Sequence, residues 1–344
     1  MQYNVVNKSR SFIKIFRNYK MIKNIQNESE RICNAVQSFV DSLTPESKNY
    51  AILDFNSKER FNWHYIPKPR KGLSLLNMSD HEKLSAFKLL EALLSPSGFS
   101  SAKNIIEHEI ILGKIEGSKN ISKFDRDPML YYFTIFLLNK DYNTFGIRIE
   151  GHHLSINISV YEKNIISVTP NFFGANPAHV ETKNNKVFKI LNNEEDISND
   201  IFHSLNSKQL SKAIIYDKAP DDLITKTDFQ ININADVGLS IDLMTNNQIK
   251  KLYNLIKVYT SRSPVFYSHN LFDKLKSVSP EKIYFGWAGS PKFGEGNYYR
   301  ISTPLIFIEY DNTQDSANHI HSVLRYRNND FGANTLIEHY QKEH

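Results

Sequence analysis

Two separate stretches of the chain, about residues 144–170 and 283–326, alternate aromatic or β-branched residues with polar ones. A period of two is typical of β-strands, whose successive side chains point to opposite faces. Helical patterns are also frequent, but they do not alternate with the strands as they would in repeated βαβ units. The sequence therefore predicts an α+β fold, with a mixed or largely antiparallel sheet covered by helices.

Three helix starts share one design, at Ser79–Glu82, Asn206–Gln209 and Thr245–Gln248. Each pairs a capping residue with Glu or Gln three positions on, which is a capping box that satisfies free backbone N–H groups at the helix start. Residues 1–50 also have helical spacing. We predict that they form an N-terminal helical extension, followed by a single α+β domain over residues 51–344.

The composition is that of an ordinary soluble globular protein, with 40% hydrophobic and 23% charged residues. No apolar run approaches the roughly 20 residues that span a bilayer, and the start of the chain lacks the features of a secretory signal. The one cysteine, Cys33, excludes an internal disulfide and a multi-thiolate metal site. We therefore expect a cytoplasmic location, with any metal held by nitrogen and oxygen.

The formal charge of +5 is unevenly distributed, because the first 24 residues hold six basic residues and no acid. These are Lys8, Arg10, Lys14, Arg17, Lys20 and Lys23. Such a segment can contact nucleic acid or an anionic membrane, but we favour a solvated helix face. We therefore expect no nucleic-acid partner and no membrane span, and a homodimer stays possible.

Two adjacent histidines, His152 and His153, head a predicted strand in the stretch EGHHLSINISV. The alternation of apolar and polar residues reverses at Gly151, which predicts a β-bulge there. From this point His153 shares the polar face with Ser155 and Asn157, so we favour His153 as a metal ligand and His152 as its hydrogen-bonded support. The alternative is one satisfied core histidine beside one surface histidine.

A second pair, His319 and His321, opens another predicted strand. This spacing places both imidazoles on one face, about 7 Å apart along the backbone, as strands do when they offer two ligands to one metal ion. The preceding strand ends in Glu309 and Asp311. We predict a hairpin that sets Glu309 opposite His321 and Asp311 opposite His319. The alternative is a purely structural role, in which the two histidines only link neighbouring strands of the sheet.

Arginines near these histidines suit a small anionic substrate, because the guanidinium fork matches a carboxylate. Their alternative role is to stabilise the fold by pairing with Glu or Asp. The predicted metal ligands are His152, His153, His319 and His321, the predicted catalytic residues are Tyr299, Arg300 and Glu309, and the predicted substrate-binding residues are Arg70, Arg126 and Arg325. His339 and His344 on a predicted closing helix are further candidates.

The sequence lacks several common catalytic and nucleotide-binding motifs. The loop GSPKFGEG lacks the Lys-Ser/Thr ending of a phosphate-binding P-loop, and there is neither a G-x-S-x-G nor an H-E-x-x-H sequence. Nucleotide binding, serine hydrolysis on an α/β-hydrolase fold and the common zinc-protease site are therefore disfavoured.

Several motifs resemble a known family. They are WHYIPKPRKGLSLLNMS, EGHHLSIN, PNFFGANPA, YYRISTPLIFIEYD and HIHSVLRYRNNDFGANTLIEHY, in this order. The chain resembles the bacterial and fungal family of domain of unknown function thirty-five hundred, from about Phe61 to the C-terminus. The family usually has a Phe-Gly-x-Pro turn and a Trp before the GHH motif, where this chain has FLLN and Phe145. The resemblance implies no particular activity, but the family pattern emphasises the same histidines.

These observations favour a metal-dependent enzyme. A histidine-rich set with few acids suits iron, copper or zinc better than magnesium or calcium. Iron or copper, which we favour, would imply an oxygen-dependent oxidoreductase, and zinc would imply a metallohydrolase. The alternative from another class is a non-catalytic protein that binds a small molecule in a His/Arg pocket.

Overall fold

The computed structural model describes residues 3–118, 124–181, 187–234, 236–292 and 294–337, and the side chains of residues 3–20, 118, 187 and 188 are outside the description. The helices are α1 (Tyr3–Ser42), α2 (Pro45–Ala51), α3 (Asp80–Leu93), α4 (Pro96–Ser118), α5 (Asn192–His203), α6 (Ser207–Ala213), α7 (Asn246–Thr260) and α8 (Val265–Lys276). Residues 333–337 are also helical, as the predicted closing helix requires, and residues 338–344 lie outside the description.

The strands follow the same chain order and alternate with these helices only in part. They are β1 (Ile52–Asp54), β2 (Leu73–Ser74), β3 (Tyr132–Leu137), β4 (Phe145–Gly151), β5 (Leu154–Tyr161), β6 (Asn164–Ser167), β7 (Asn171–Ala175), β8 (His179–Glu181), β9 (Val187–Lys189), β10 (Ile214–Tyr216), β11 (Leu239–Ser240), β12 (Tyr284–Gly289), β13 (Asn297–Ser302), β14 (Ile306–Gln314) and β15 (His319–Tyr326).

In the described part of the chain, 13 strands form one mixed sheet, whose main path runs β1-β3-β4-β5-β7-β15-β14-β13-β12-β10. Only the pairs β1–β3 and β10–β12 are parallel among its described strand pairs. The two predicted strand clusters meet at the centre, where β7 pairs with both β5 and β15. The predicted α+β fold with a largely antiparallel sheet is therefore confirmed.

One face of the sheet is apolar and lies under the helices. Side chains such as Ile149, Ile156 and Leu324 are fully buried there and belong to the main hydrophobic core. The second half of α1 contributes to the same core through Ile32, and its Glu28 carboxylate accepts the Tyr267 N–H at the start of α8. The boundary predicted at residue 50 stays a prediction, although this part of the extension packs into the body.

The other face of the sheet is polar and almost as deeply buried. Arg148, Glu150, Glu309 and Arg325 on this face are each at most 1% exposed. Residues 58–72, which begin with a 3₁₀ turn, and the irregular residues 217–234 and 236–238 cover it. Their backbone groups accept hydrogen bonds from these side chains or donate hydrogen bonds to them. The interior of an α-helix offers fewer such partners, because its N–H and C=O groups are already paired with one another.

The three predicted capping boxes are all present, at the starts of α3, α6 and α7. No helix among the described residues has both the length and the apolar character that a membrane span needs.

The predicted pairing of the β14–β15 hairpin is wrong by two residues. Asp311 lies opposite His321, and Glu309 lies opposite Val323. The reason is the connection: Asp315, Ser316 and Ala317 all have positive φ, and the ladder is irregular between Asp311 and Gln314. A shift by two keeps each side chain on its predicted face, so both acids still share the face of His321.

The apolar face gives a direct test of the core. Ile156→Ala on the central strand β5 removes a fully buried side chain, and we expect it to lower the free energy of unfolding by about 2–5 kcal/mol. The control is Leu84→Ala on α3, whose side chain is 56% exposed and which should change stability by less than about 0.5 kcal/mol. Urea denaturation measures both, and equal effects would contradict the assigned burial.

Candidate metal centre

The two adjacent histidines form the turn of a β-hairpin. His152 and His153 connect β4 to β5, and His153 has φ 61°, in the left-handed region that is uncommon for a residue with a side chain. The turn is fixed on three sides: the His153 N–H donates to Tyr65 O at 2.9 Å, the Gly174 N–H donates to His153 O at 2.8 Å, and the Tyr131 hydroxyl donates to His152 O at 2.7 Å. Both imidazoles are therefore held at one end of the sheet.

The predicted bulge at Gly151 is wrong, because Gly151 pairs directly with Leu154 and the chain turns back between them. In a hairpin with a two-residue turn, an odd-numbered residue on one strand pairs with an even-numbered residue on the other. The reversal of the alternation therefore comes from the turn.

Three imidazoles converge where this hairpin meets β15. The side chains of His319 and His321 lie on the same face of β15, and His153 Nε2 is 2.8 Å from His319 Nε2. The ring centroid of His321 lies 5.4 Å from that of His153 and 4.7 Å from that of His319. One candidate ligand atom from each of the three lies within 4.8 Å of the other two. We call this group the three-histidine cluster.

Two carboxylates orient the cluster from outside. His319 Nδ1–H donates to Asp315 Oδ2 at 2.8 Å, and His321 Nδ1–H donates to Asp222 Oδ1 at 2.7 Å. Because each carboxylate accepts a hydrogen bond from Nδ1–H, the neutral ring keeps its proton on Nδ1 and its lone pair on Nε2. Metal-binding histidines are oriented in the same way, by an acceptor on the nitrogen that does not bind the metal.

Two imidazoles of the cluster, His153 and His319, are held in the neutral form. Burial lowers the pKa of His153 well below its usual value, and the neighbouring His152, His319 and His321 lower it further. Burial also lowers the pKa of His319, although the hydrogen bond to Asp315 opposes this shift. Neutral imidazole is the form that binds a metal ion.

A second group lies behind the first, because the His152 ring stacks on His153 with 3.7 Å between centroids. His152 Nδ1 is 2.6 Å from Glu109 Oε1 and 3.2 Å from Arg126 Nη1. Glu109, His152 and His153 also bring candidate ligand atoms within 4.8 Å of one another. The guanidinium of Arg126 opposes a cation at this point, so the three-histidine cluster is the better cation site.

Burial raises the pKa of Glu109 to about 7, and Arg126 acts in the opposite direction. Arg126 in turn donates two hydrogen bonds of 2.7 Å to Glu116. His152 Nδ1 therefore contacts both the Glu109 carboxyl group and the Arg126 guanidinium.

A cavity of ≈ 290 Å³ opens next to His152. Its walls include Pro67, Phe124, Leu130 and Tyr131, and Glu109, Asp125 and Asp127 supply carboxylates. One imidazole thus separates this cavity from the three-histidine cluster.

Tyr299, predicted to be catalytic, lies on the opposite face of the sheet. Its hydroxyl is 2.6 Å from the Tyr259 hydroxyl and donates to Glu194 O at 3.1 Å. The neighbouring Tyr298 faces the histidine side and donates to Glu309 at 2.9 Å. The structure therefore separates Tyr299 from the cluster by the thickness of the sheet.

Two of the predicted arginines bind covering segments of the polar face. Arg300 donates to Asn234 O at 3.2 Å. Arg325 pairs with Asp330 and donates to Asp228 O at 2.6 Å, and it is four residues, or about 13 Å, along β15 from His321. These contacts match the fold-stabilising alternative.

Arg70 lies closer to the histidines, but its donors are also engaged. Its guanidinium donates to the carbonyl oxygens of Lys68, Ile66 and Gly151, and it lies 3.6 Å from Glu150. Arg70 therefore fastens its own loop to the histidine hairpin. Of the three predicted substrate-binding arginines, Arg126 is the one with a hydrogen bond to a histidine ring.

The two acids of β14 accept hydrogen bonds from groups outside the cluster. The Glu309 carboxylate accepts from the backbone of residues 224 and 225. Asp311 accepts from Thr313, and burial raises the pKa of Asp311 to about 7. His339 and His344 lie outside the described residues.

Sequence reasoning missed Asp222, Asp315, Glu109 and Gly174. Asp315 is four residues before His319, and this spacing could have identified it. Asp222 is 99 residues from His321 and has no local signal. Gly174 leaves space for a ring, because an added Cβ would lie 3.0 Å from His153 Cδ2 and 2.8 Å from Ile320 O.

The fold and the site together define an α+β protein with a buried three-histidine cluster. A family model described as Protein of unknown function (DUF3500) matches residues 26–333. The chain belongs to this family, as its motifs suggested, and the match begins well before Phe61. Searches of curated proteins and of solved structures gave no significant match.

The packing of His153 against Gly174 can be tested directly. Gly174→Ala should displace the His153 ring and lower the free energy of unfolding by about 1–3 kcal/mol, because the added methyl group overpacks a buried site. Urea denaturation measures the stability, and histidine NMR signals report the ring.

The matched control is Gly117→Ala on α4, where an added Cβ meets nothing within 4 Å. It should leave the His153 signals unchanged and keep or raise the stability, because alanine favours helix. Unchanged His153 signals in Gly174→Ala would contradict the close packing.

Proposed function

We propose that the protein is a metal-dependent enzyme that holds one transition-metal ion between His153, His319 and His321. The observation that carries the proposal is the convergence of three largely buried imidazoles, two of which donate a hydrogen bond from Nδ1–H to a carboxylate. The lone pairs of His319 and His321 are then on Nε2, and His319 Nε2 lies 2.8 Å from His153 Nε2. A bound cation satisfies all these lone pairs together.

The donor set favours particular metals. Three neutral imidazoles, with Asp222 and Asp315 bonded to the outer nitrogens, suit iron, copper or zinc, whereas magnesium and calcium prefer oxygen ligands. Three protein ligands also leave a coordination position free for a small molecule, as in catalytic sites.

Within this class we favour an oxygen-dependent oxidoreductase that uses iron or copper. The cluster lies among aromatic rings, with Tyr65 at 5.0 Å and Phe172 at 5.5 Å from the His321 ring. These rings and the burial of His153 exclude water from the inner side of the site, which protects a reactive centre from side reactions. Iron or copper would supply the activation of oxygen and the transfer of electrons.

Zinc-dependent hydrolysis is the second candidate. A set of neutral ligands leaves the full charge on the ion, and a zinc ion in such a site lowers the pKa of bound water to about 7. The same cluster would then serve a metallohydrolase.

The substrate that we propose is a small organic molecule bound in the cavity beside His152. The sequence suggests an anion, and the cations among the residues that line the cavity are Lys68 and Arg70, although the Arg70 guanidinium also binds protein acceptors. Arg126 and Arg325 do not line the cavity, and their guanidinium groups bind Glu116 and Asp330. A non-catalytic protein with this His/Arg pocket is the alternative. A cytoplasmic location, the absence of a nucleic-acid partner and a possible homodimer complete the proposal.

Metal content tests the site. Protein purified without a histidine tag should contain about one equivalent of iron, copper or zinc, measured by plasma mass spectrometry. His319→Ala and His321→Ala should each reduce this to less than about a tenth of an equivalent, because two imidazoles hold the ion too weakly.

The control is His269→Ala, which replaces an exposed histidine of α8 and should leave the metal content unchanged. Metal retained by both cluster variants, or no uptake by the wild-type protein after supplementation, would overturn the proposed site.

Reconstitution separates the two reaction classes. Apoprotein loaded with iron or copper should consume oxygen in the presence of ascorbate faster than the free metal does, and His321→Ala should abolish the difference. Zinc-loaded protein should not accelerate hydrolysis of 4-nitrophenyl acetate above His321→Ala. Zinc-dependent hydrolysis without oxygen uptake by the iron or copper forms would favour the metallohydrolase.

A further inference from the structure

We propose that Glu309 is a positioning residue, which fixes the loop of residues 222–225 so that Asp222 orients His321. The inference rests on the proposed metal site, because it assigns Glu309 the task of holding one ligand in place. It differs from a role for Glu309 as a ligand itself.

The Glu309 carboxylate is fully buried and surrounded by neutral donors. Oε1 accepts the Ile224 N–H at 2.8 Å and the Tyr298 hydroxyl at 2.9 Å. Oε2 accepts the Thr225 N–H at 3.3 Å and the Thr225 hydroxyl. Three of these four donors belong to two consecutive residues of the covering loop. Both oxygens are therefore occupied, and the side chain is not free to bind a metal.

The fixed loop leads directly to Asp222. The Leu223 N–H donates to Asp222 Oδ1 at 2.7 Å, and the same oxygen accepts His321 Nδ1–H at 2.7 Å. The Tyr65 hydroxyl donates to the other oxygen at 3.1 Å. The Asp222 side chain is 28% exposed, so its own packing does not define its position. The backbone of the loop does, and it is held by the hydrogen bonds to Glu309 and by the buried side chain of Leu223.

The strands make this connection short. Glu309 on β14 and His321 on β15 share the polar face of neighbouring strands, two residues apart in register. The loop therefore binds the sheet at Glu309 and reaches over to the ring of His321. A buried carboxylate is costly unless donors surround it, and burial raises the pKa of Glu309. The donors of the loop offset the cost of burying the Glu309 carboxylate, and the carboxylate in turn holds the loop.

Glu309→Gln tests the inference, because it keeps the shape but replaces one acceptor oxygen by an amide donor. Cobalt(II) is the probe, with its affinity measured by competition with a chelator. We expect the affinity to fall about 10- to 100-fold, as for other changes to groups that orient a metal ligand, and the visible spectrum of the cobalt protein to change. Asp222→Asn should have the same effect, and the double variant should be little weaker than either single variant.

A matched control separates positioning from stability. Asp330 is another buried carboxylate, which accepts from Arg325 Nε at 2.7 Å and from the Tyr326 N–H at 2.8 Å at the far end of β15. Asp330→Asn should lower stability and leave cobalt affinity and spectrum unchanged. If Glu309→Gln folds poorly, Thr225→Val removes only the hydroxyl donor and should give a smaller change in the same direction.

A readout without metal distinguishes the two proposals. In metal-free protein labelled with ¹⁵N-histidine, the His321 Nδ1–H signal reports the hydrogen bond to Asp222. It should shift or broaden in Glu309→Gln and stay unchanged in Asp330→Asn. If the wild-type protein binds no cobalt, the metal site fails while this signal still decides the role of Glu309. Unchanged His321 signals in Glu309→Gln would overturn the positioning role.

Discussion

The burial of charged groups on one face of the sheet is the constraint on which the rest of the structure depends. Arg148, Glu150, Glu309 and Arg325 are expensive to bury unless each polar atom is bonded. Irregular chain can supply the partners, because its backbone groups are not used internally. The helices therefore collect over the apolar face, and loops cover the polar one. These loops are also the segments that bring Asp222 and Tyr65 to the histidines.

A site of this kind is assembled from distant parts of the chain but held by the rigid sheet. The hairpin turn provides His153, the start of β15 provides His319 and His321, and the covering loop provides Asp222. The strand positions are fixed by the apolar core on the other face. The loop packs Leu223 into a smaller apolar cluster with Tyr65 and Phe172, and its backbone is held in addition by hydrogen bonds to Glu309.

The sequence was most informative where the chemistry is local. The capping box at Ser79, the alternation in β5 and the spacing of His319 and His321 each follow from neighbouring residues, and the structure contains all three. The turn at His152–His153 was not predicted correctly, because a bulge and a two-residue turn reverse the alternation in the same way. Asp222 could not be predicted, because its contact with His321 depends on how a loop crosses the sheet.

The protonation of the cluster supports the proposed cation site. The carboxylates of Asp315 and Asp222 fix the Nδ1 protons of His319 and His321, so both rings present a lone pair at Nε2. Neutral His153 has one N–H, which can donate from Nε2 to His319 Nε2 at 2.8 Å. The same N–H cannot also satisfy the lone pair of His321. Burial and the adjacent rings lower the pKa of His153. They therefore disfavour an additional proton on the cluster. A metal ion would accept a lone pair from each of the three rings if the His153 proton moved to its other ring nitrogen. No hydrogen-bond donor would then be needed within the cluster.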